Sequence, residues 1–103
     1  MPSFAVDAAG AVYALETSAK FRRDLKRMAK QGRDLRRLAR VVERLLRGET
    51  LPPANCDHAL AGDYAGAREC HLAPDWLLVY KIIAGELIFT LMRTGSHAEL
   101  GVG

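Results

Sequence analysis

The fold is decided by residues 67–94, A-R-E-C-H-L-A-P-D-W-L-L-V-Y-K-I-I-A-G-E-L-I-F-T-L-M-R-T. This stretch contains three runs typical of β-strands, Ala67–Leu72, Trp76–Ile83 and Glu86–Thr94. The turn Ala73-Pro74-Asp75 separates the first two runs, and Ala84-Gly85 separates the last two. Because connections this short join antiparallel neighbours, the stretch predicts a three-stranded antiparallel meander.

Two amphipathic helices are predicted before the meander, one from Ala19 to about Lys30 and one from Leu35 to Arg47. Their apolar residues recur every three or four positions, which places them on one face of each helix. Thr17 or Ser18 can cap the first helix, and Asp34 can cap the second. Since only a short connection separates the two, they should form an antiparallel hairpin.

The remaining segments complete a single domain over residues 1–103. Val12–Thr17 alternates between apolar and polar residues and is predicted to be a short strand, whereas Glu49–Gly66 is predicted to be a loop. Met1–Ala11 is small and aperiodic and is predicted to be a flexible leader. The order β-α-α-β-β-β predicts an α+β fold in which the helical hairpin packs on one face of the sheet.

Composition excludes several classes of protein. With 50% hydrophobic and 26% charged residues in 103, the chain suits one globular domain and not a disordered one. No apolar run approaches the roughly 18–20 residues that cross a bilayer, so no membrane association is expected. The N-terminus lacks the basic start of a signal peptide, and Cys56 and Cys70 suit two reduced thiols. A cytoplasmic protein is therefore expected.

Charge is distributed unevenly along the chain. Lys20 to Arg47 contains twelve Lys and Arg but only three acids, a local charge of +9, while the remainder carries −6. This asymmetry suggests that the helices bind a polyanion or an acidic partner. It is equally what two ordinary solvated helices with basic faces would show.

Antiparallel topology gathers several polar residues at one end of the sheet, because the end of each strand meets the start of the next. The residues brought together are His71, Asp75, Trp76, Arg93 and His97. Such a set suits cleavage of an RNA phosphodiester, since histidine can accept and donate protons near neutral pH and arginine can bind phosphate. This chemistry needs no metal or other cofactor.

Each of these residues also has a structural explanation. A histidine at a strand end is often simply solvated, and Asp75 after Pro74 is an ordinary turn residue. Trp76 is expected to lie in the core at its base, with its edge near the site. Ser96-His97-Ala98-Glu99 matches a capping box, so His97 can simply begin a terminal helical turn. Three histidines and an acid can also bind zinc, but their scattered spacing lacks the regularity of a helix-borne site.

Two motifs carry a resemblance to a known family. The stretch C-H-L-A-P-D-W-L-L-V-Y-K-I (residues 70–82) and the stretch L-M-R-T-G-S-H-A-E-L (residues 91–100) resemble the YafQ branch of the RelE-like toxins of bacterial type II toxin–antitoxin systems. D-H-A-L-A-G-D-Y-A-G-A-R-E (residues 57–69) is similar to the segment before that family's first meander strand. The resemblance covers roughly Tyr13 to Leu100.

The resemblance implies a ribosome-dependent endoribonuclease that enters the ribosomal A site, cuts mRNA without a metal and is held inactive by a cognate antitoxin. By motif, His97 would be the general acid and Arg93 the phosphate stabiliser. Asp75 or His71 would be the general base, and His58 would assist. Substrate-binding residues would be Trp76, Arg68, Lys20, Arg23, Lys26 and Arg27. The helix charges would bind the ribosomal RNA backbone.

The chain departs from the family pattern in two places. Gly101 stands where members commonly carry an aromatic residue, so a contact to substrate or core would be missing, and the leader Met1–Ala11 is longer than expected. Two other functions remain open: a non-catalytic toxin resembling the ParE branch, which poisons gyrase, and a basic nucleic-acid-binding module. The His, Asp and Arg set argues against the ParE type, which generally lacks it.

Overall fold

The structure, a computed structural model, describes residues 3–6 and 12–101. Its strands are β1 Ser3–Val6, β2 Val12–Thr17, β3 His58–Ala59, β4 Arg68–Ala73, β5 Trp76–Ile83 and β6 Ile88–Gly95. Its helices are α1 Ala19–Lys30, α2 Leu35–Leu46 and α3 His97–Leu100. The predicted α+β class and the order strand, helical hairpin, meander are confirmed.

All six strands form one sheet in the order β1-β2-β6-β5-β4-β3. β4, β5 and β6 are consecutive antiparallel neighbours, as predicted, with Cys70 opposite Leu78 and Leu78 opposite Thr94. β2 joins this meander parallel to β6. The sheet therefore places the end of β4, the start of β5 and the end of β6 at one common end.

The predicted flexible leader is wrong for Ser3–Val6, which forms β1. This strand pairs antiparallel with β2, with Phe4 opposite Ala14. It therefore supplies hydrogen-bonding partners to the backbone along the outer edge of β2. The other residues of the predicted leader, 1–2 and 7–11, lie outside the described residues.

The predicted loop and the last strand also need correction. Within residues 49–66, His58–Ala59 forms β3, which pairs antiparallel with the start of β4. The last strand begins at Ile88 and not at Glu86, because the connection from β5 contains a 3-10 turn at Ala84–Glu86 and then Leu87 in the left-handed region, at φ 55°. This longer connection takes up the residues that were expected to begin the strand.

The helical hairpin covers one face of the sheet and forms the main core. That core contains Phe21, Met28, Leu38, Val42, Leu45, Cys70, Leu72, Trp76, Leu78, Tyr80, Phe89 and Leu91. A smaller cluster around Leu77, Val79 and Leu100 covers the other face. β5 is thus buried on both faces, as its continuous apolar sequence predicts. Within the described part of the chain, no helix is long and apolar enough to cross a membrane.

Candidate active site

His71, Asp75 and His97 lie together at the common end of the meander. His97 Nδ1 lies 2.7 Å from Asp75 Oδ1, and the backbone N–H of His97 donates to the same oxygen at 3.0 Å. The rings of His71 and His97 meet edge to face with 5.4 Å between their centroids. Antiparallel topology therefore brings these three groups together, as the sequence predicts.

His97 is held in place by the short helix that it begins. Ser96 and Glu99 form a capping box around it: the Glu99 N–H donates to Ser96 Oγ, and the Ser96 N–H donates to Glu99 Oε1. The Ser96 N–H lowers the pKa of the Glu99 carboxyl, so this cap stays ionised at neutral pH. The capping box predicted from the sequence is confirmed and positions the histidine.

Asp75 is suited to orienting His97. The His97 backbone N–H, followed by the His97 side chain, lowers the pKa of the Asp75 carboxyl below its usual value. An ionised carboxylate accepts the proton of His97 Nδ1 and leaves Nε2 as the nitrogen available to another molecule. With a lowered pKa, Asp75 is a weak proton acceptor, which favours His71 over Asp75 as a general base.

Trp76 is not available as a substrate contact, and this part of the sequence prediction is wrong. The side chain is 2% exposed, and its Nε1–H donates to Thr94 Oγ1 at 2.9 Å. The guanidinium of Arg33 lies over the ring, 5.4 Å from its centroid. Trp76 therefore packs beneath the turn that carries Asp75. Its indole N–H has its hydrogen-bond acceptor, Thr94, inside the fold.

Arg93 lies at the edge of β6 and reaches to α1. Its Nε donates to Asp24 Oδ2 at 2.7 Å and its Nη2 to Asp24 Oδ1 at 3.2 Å. The hydrogen bond to Asp24 raises the pKa of Arg93, so the guanidinium stays charged. The Thr94 N–H also donates to Asp24 Oδ2, at 3.1 Å. Asp24 is 2% exposed and fixes both the strand edge and the arginine.

Asp24 is a site residue that was not predicted from the sequence. It lies on a basic helix, but its spacing from Phe21 and Met28 places it on the apolar face. An acid on a buried stripe needs a cationic or hydrogen-bonding partner, and that requirement is the signal that points to it.

His58 is separated from the His71–Asp75–His97 group and lies beside a buried carboxylate. Its Nε2 is 3.6 Å from Glu69 Oε1, and its Nδ1 is 2.6 Å from the carbonyl oxygen of Cys56. Glu69 is 1% exposed, and its Oε2 has no hydrogen-bond partner among the described residues. Because residues alternate along a strand, Glu69 and His71 share one face of β4. That alternation is the signal by which the sequence could have identified Glu69.

Two of the predicted substrate-binding arginines are already paired with acids. Arg27 contacts Asp24 at 3.0 Å and Glu99 at 2.8 Å, and Arg68 Nε contacts Asp57 Oδ1 at 3.2 Å. These ion pairs weaken the case for Arg27 and Arg68 as phosphate ligands. The other predicted cations on α1, which are exposed, are Lys20, Arg23 and Lys26.

The family model described as the bacterial toxin of type II toxin–antitoxin systems, YafQ, matches residues 13–102. The chain belongs to the YafQ toxin family. Over 88 residues it is 38% identical to the mRNA interferase toxin YafQ of Escherichia coli K12, an alignment that covers 84% of this chain and 92% of that one.

Two solved structures share the YafQ fold of this chain. The E. coli DinJ-YafQ toxin-antitoxin complex contains a chain that is 32% identical, with a TM-score of 0.77 and coverage of 85% of this chain and 96% of that one. A metal-bound toxin from Helicobacter pylori is 49% identical, with a TM-score of 0.78 and coverage of 84% and 96%. The family resemblance predicted from the two motifs is confirmed.

Gly101 has a backbone role in this YafQ-family chain. It ends α3 in the left-handed region at φ +65°, and its N–H donates to the carbonyl oxygen of His97 at 2.9 Å. A Cβ at this position would meet nothing within 4 Å, so an aromatic side chain has room but would strain the backbone. Glycine therefore favours the helix end that closes the turn carrying His97.

The described residues of the YafQ-family chain include no group of three or more His, Cys, Asp or Glu side chains placed to hold a metal ion. His97, its partner Asp75 and the neighbouring His71 instead form a cluster of two imidazoles and one carboxylate. This arrangement suits proton transfer, for which one oriented histidine and a second imidazole are sufficient.

Proposed function

We propose that this YafQ-family toxin is an endoribonuclease that cuts mRNA on the ribosome without a metal or other cofactor. The observation that carries the proposal is the pairing of His97 with Asp75, with the ring of His71 5.4 Å away. The name of the E. coli relative, mRNA interferase toxin, supports the same activity.

The reaction is a transfer within the RNA. His71 takes the proton of a 2′-OH, and the resulting oxygen attacks the adjacent phosphorus. The bond from phosphorus to the 5′-oxygen of the next nucleotide breaks. His97, which enters the step protonated on both ring nitrogens with Nδ1–H held by Asp75, donates its Nε2 proton to that leaving oxygen and becomes neutral. The products are a 2′,3′-cyclic phosphate and a free 5′-OH, so no water or metal is consumed in the step.

Arg93 is the group proposed to stabilise the negative charge that develops on the phosphate. Its Nε and Nη2 are bound to Asp24, which fixes the plane of the guanidinium while the pKa remains raised. A preoriented cation stabilises the transition state because it need not reorganise during the reaction. His58, beside Glu69, is proposed to assist from the neighbouring part of the same face.

The proposed partners are a cognate antitoxin, the ribosome and mRNA. The solved E. coli complex pairs a YafQ chain with DinJ, an antitoxin. For this chain we expect an acidic or amphipathic antitoxin segment that covers the basic helices, the end of the sheet that carries His71, Asp75 and His97 (the active end), or both. Charge complementarity with the +9 segment, residues 20–47, supports that expectation.

Among the alternatives, neither a gyrase poison nor a plain nucleic-acid-binding module requires an oriented histidine. The Asp75–His97 pair would have no task in either, and this observation favours the nuclease. Both alternatives also differ from the nuclease in the cellular effect that they predict. Neither would produce new ends in mRNA when growth stops.

The test is induced expression in a bacterial host followed by primer extension on a reporter mRNA. The wild type should produce new 5′ ends, and His97→Ala should reduce their rate of appearance by about 10²-fold or more. Glu86→Ala, an exposed truncation at the opposite end of the sheet, is the matched control and should cleave normally. Growth arrest without new 5′ ends would refute the nuclease, and full cleavage by His97→Ala would refute the role of that residue.

A further inference from the structure

A groove crosses the turn between β4 and β5, next to the candidate active site. One cavity of about 290 Å³ is lined by Arg37, Asn55, His71 and Pro74 among others. A second, of about 210 Å³, is lined by Arg33, Arg37 and Trp76 among others. Arg37 and Ala73 line both cavities, so the two adjoin, and we call them together the turn groove.

The turn groove carries two cations, Arg33 and Arg37, and neither forms an ion pair with a carboxylate of the described part of the chain. Arg33 Nη2 donates to the carbonyl oxygen of Asp75 at 3.2 Å, and its guanidinium covers Trp76. Arg37 Nη1 donates to the carbonyl oxygen of Leu72 at 3.4 Å, a long bond. By contrast, Arg27 and Arg68, two of the arginines predicted from the sequence to bind substrate, are each paired with a carboxylate.

The groove also offers groups that suit a base or a ribose. Asn55 Nδ2 donates to the carbonyl oxygen of His71 at 2.7 Å, which leaves Asn55 Oδ1 as an acceptor beside the cavity. A volume of about 290 Å³ lies at the small end of ligand pockets and suits a single nucleotide. Single-stranded RNA is recognised in this way, by stacking and by hydrogen bonds to exposed base edges.

We propose that the turn groove binds the mRNA strand on the 5′ side of the phosphate that is cut. The cavities lie on the hairpin side of β4, whereas the His71 side chain lies on the opposite face, so the groove holds nucleotides upstream of the one whose 2′-OH attacks. Arg37 and Arg33 bind the phosphates of those upstream nucleotides. The direction follows from the chemistry, because His71, which takes the 2′-OH proton, lines the groove and therefore places it on the 5′ side of the cut. This inference rests on the proposed function and adds a substrate subsite to it.

The site differs from the surface that the sequence suggested. Lys20, Arg23 and Lys26 are exposed on α1, whereas Arg33 lies in the connection before α2 and Arg37 in the first turn of α2, both beside the active end. Arg33 is near enough to Asp75 to contribute to the lowering of the pKa of that carboxyl. The cations of the groove are therefore the ones placed to hold substrate against the candidate catalytic residues.

The test uses a 2′-deoxy tetranucleotide of random sequence, which lacks the attacking hydroxyl and stays intact. Its addition to the ¹⁵N-labelled protein should shift the amides of Asn55, His71 and Ala73. Arg37→Gln should raise the Kd about tenfold and reduce the slope of log K against log salt by about 0.7, the value for one phosphate contact on a single strand.

Arg40→Gln is the matched control, since it removes the same charge from an exposed position of α2 that lines neither cavity. It should change the Kd by less than twofold. Equal losses in the two variants, or shifts confined to α1, would overturn the groove as a substrate site. Binding of the tetranucleotide does not depend on cleavage. A wild-type protein that binds it in the groove but leaves mRNA intact would therefore refute the proposed nuclease activity and not the proposed binding site.

A ribosome cosedimentation assay separates mRNA from ribosomal RNA as the occupant. If the groove holds mRNA, Arg37→Gln should cosediment with ribosomes as the wild type does, while its rate of mRNA cleavage falls about tenfold. Loss of cosedimentation in Arg37→Gln, with Arg40→Gln unchanged, would overturn the assignment to mRNA.

Discussion

At the residue scale, the carboxylate of Asp75 decides how His97 is presented. One oxygen accepts from both the backbone N–H and Nδ1 of the histidine, so the ring has one orientation and one favoured tautomer. The aspartate itself is exposed and carries a lowered pKa, which suits an ionised partner that stays charged through the reaction. The residue therefore acts through His97 as a positioning group.

Asp75→Asn tests this role. The amide can still accept from the backbone of His97 but loses the charge that favours a proton on Nδ1, so we expect the cleavage rate to fall about tenfold or more. ¹⁵N NMR of the imidazole should show the proton on Nδ1 in the wild type and a mixture of tautomers in the variant. Asp63→Asn, at an exposed position in the 3-10 turn Gly62–Tyr64, is the control. An unchanged rate and tautomer in Asp75→Asn would contradict the positioning role.

The two cysteines should react very differently. Both thiols are free, as the sequence predicts, but Cys70 is fully buried and Cys56 is exposed. Burial raises the pKa of the Cys70 thiol to about 12, so the reactive thiolate is scarce at pH 8. Iodoacetamide at pH 8 should label Cys56 alone in the native protein and both thiols in urea. Native labelling of Cys70 at a rate similar to that of Cys56 would show that β4 opens readily.

At the element scale, the start of α1 acts as an extension of the sheet along β6. β2 pairs with β6 as far as Leu91, and beyond that point Ser18 and Asp24 bind its backbone. Ser18 Oγ donates to the carbonyl oxygen of Met92 at 2.6 Å, and Asp24 accepts from the N–H of Thr94. The helix thereby satisfies strand groups that would otherwise lack partners.

Asp24→Ala should therefore destabilise the fold strongly. It leaves Arg93 and the Thr94 N–H without an acceptor in a nearly buried place, so the free energy of unfolding should fall by about 3–5 kcal/mol. Urea denaturation measures this, and Asp24→Asn, which keeps one acceptor, should lose less. Glu43→Ala breaks an exposed ion pair with Arg47 and should cost less than about 1 kcal/mol. Equal losses in Asp24→Ala and Glu43→Ala would contradict the account.

The cap of α3 should contribute a pH-dependent part of the stability. The folded pKa of Glu99 is lowered, chiefly by the Ser96 N–H, so its contribution is present above its unfolded pKa of about 4.3 and is lost as pH falls through the folded pKa. Glu99→Gln should lower stability at pH 7 and flatten its decline between neutral and acid pH. Urea titrations at pH 7 and pH 3 measure this, with Glu86→Gln as an exposed control. Parallel pH curves for the wild type and Glu99→Gln would contradict it.

The sequence predicts the meander and the hairpin because their signals are local. The alternation and turns of residues 67–94 and the apolar stripes of the two helices depend only on near neighbours in the chain. The parallel pairing of β2 with β6, the addition of β1 and the pairing of β3 depend on edges that exist only once the sheet has formed. No local pattern indicates them.

The candidate site also has a part that the sequence predicts and a part that depends on tertiary packing. Topology brings His71, Asp75 and His97 together, and strand order alone is enough to predict it. The full burial of Trp76 and the binding of Arg93 by Asp24 depend on which helix covers which strand. The spacing of residues in the sequence does not indicate that pairing. Ion pairs made across elements decide which arginines stay available.

At the scale of the whole molecule, the helical hairpin and part of the proposed chemistry lie on opposite sides of the sheet. The hairpin packs on the face formed by Leu78 and Tyr80, whereas Glu69 and His71 belong to the face of Leu77 and Val79. The outer surface of α1 therefore remains exposed when substrate occupies the active end and the turn groove. Such an arrangement lets one molecule bind ribosomal RNA and mRNA at separate surfaces.

This separation predicts that ribosome binding and cleavage respond to different substitutions. Changing Lys20, Arg23 and Lys26 to Gln together removes three exposed charges from α1, so ribosome affinity should fall and the slope of log K against log salt should decrease by roughly two to three. Cosedimentation at several salt concentrations measures the slope. His97→Ala should bind with the wild-type slope while failing to cleave. If the triple variant kept the wild-type slope, α1 would not be the docking surface, and the charge of the hairpin would serve a different partner, of which an antitoxin is the first to test.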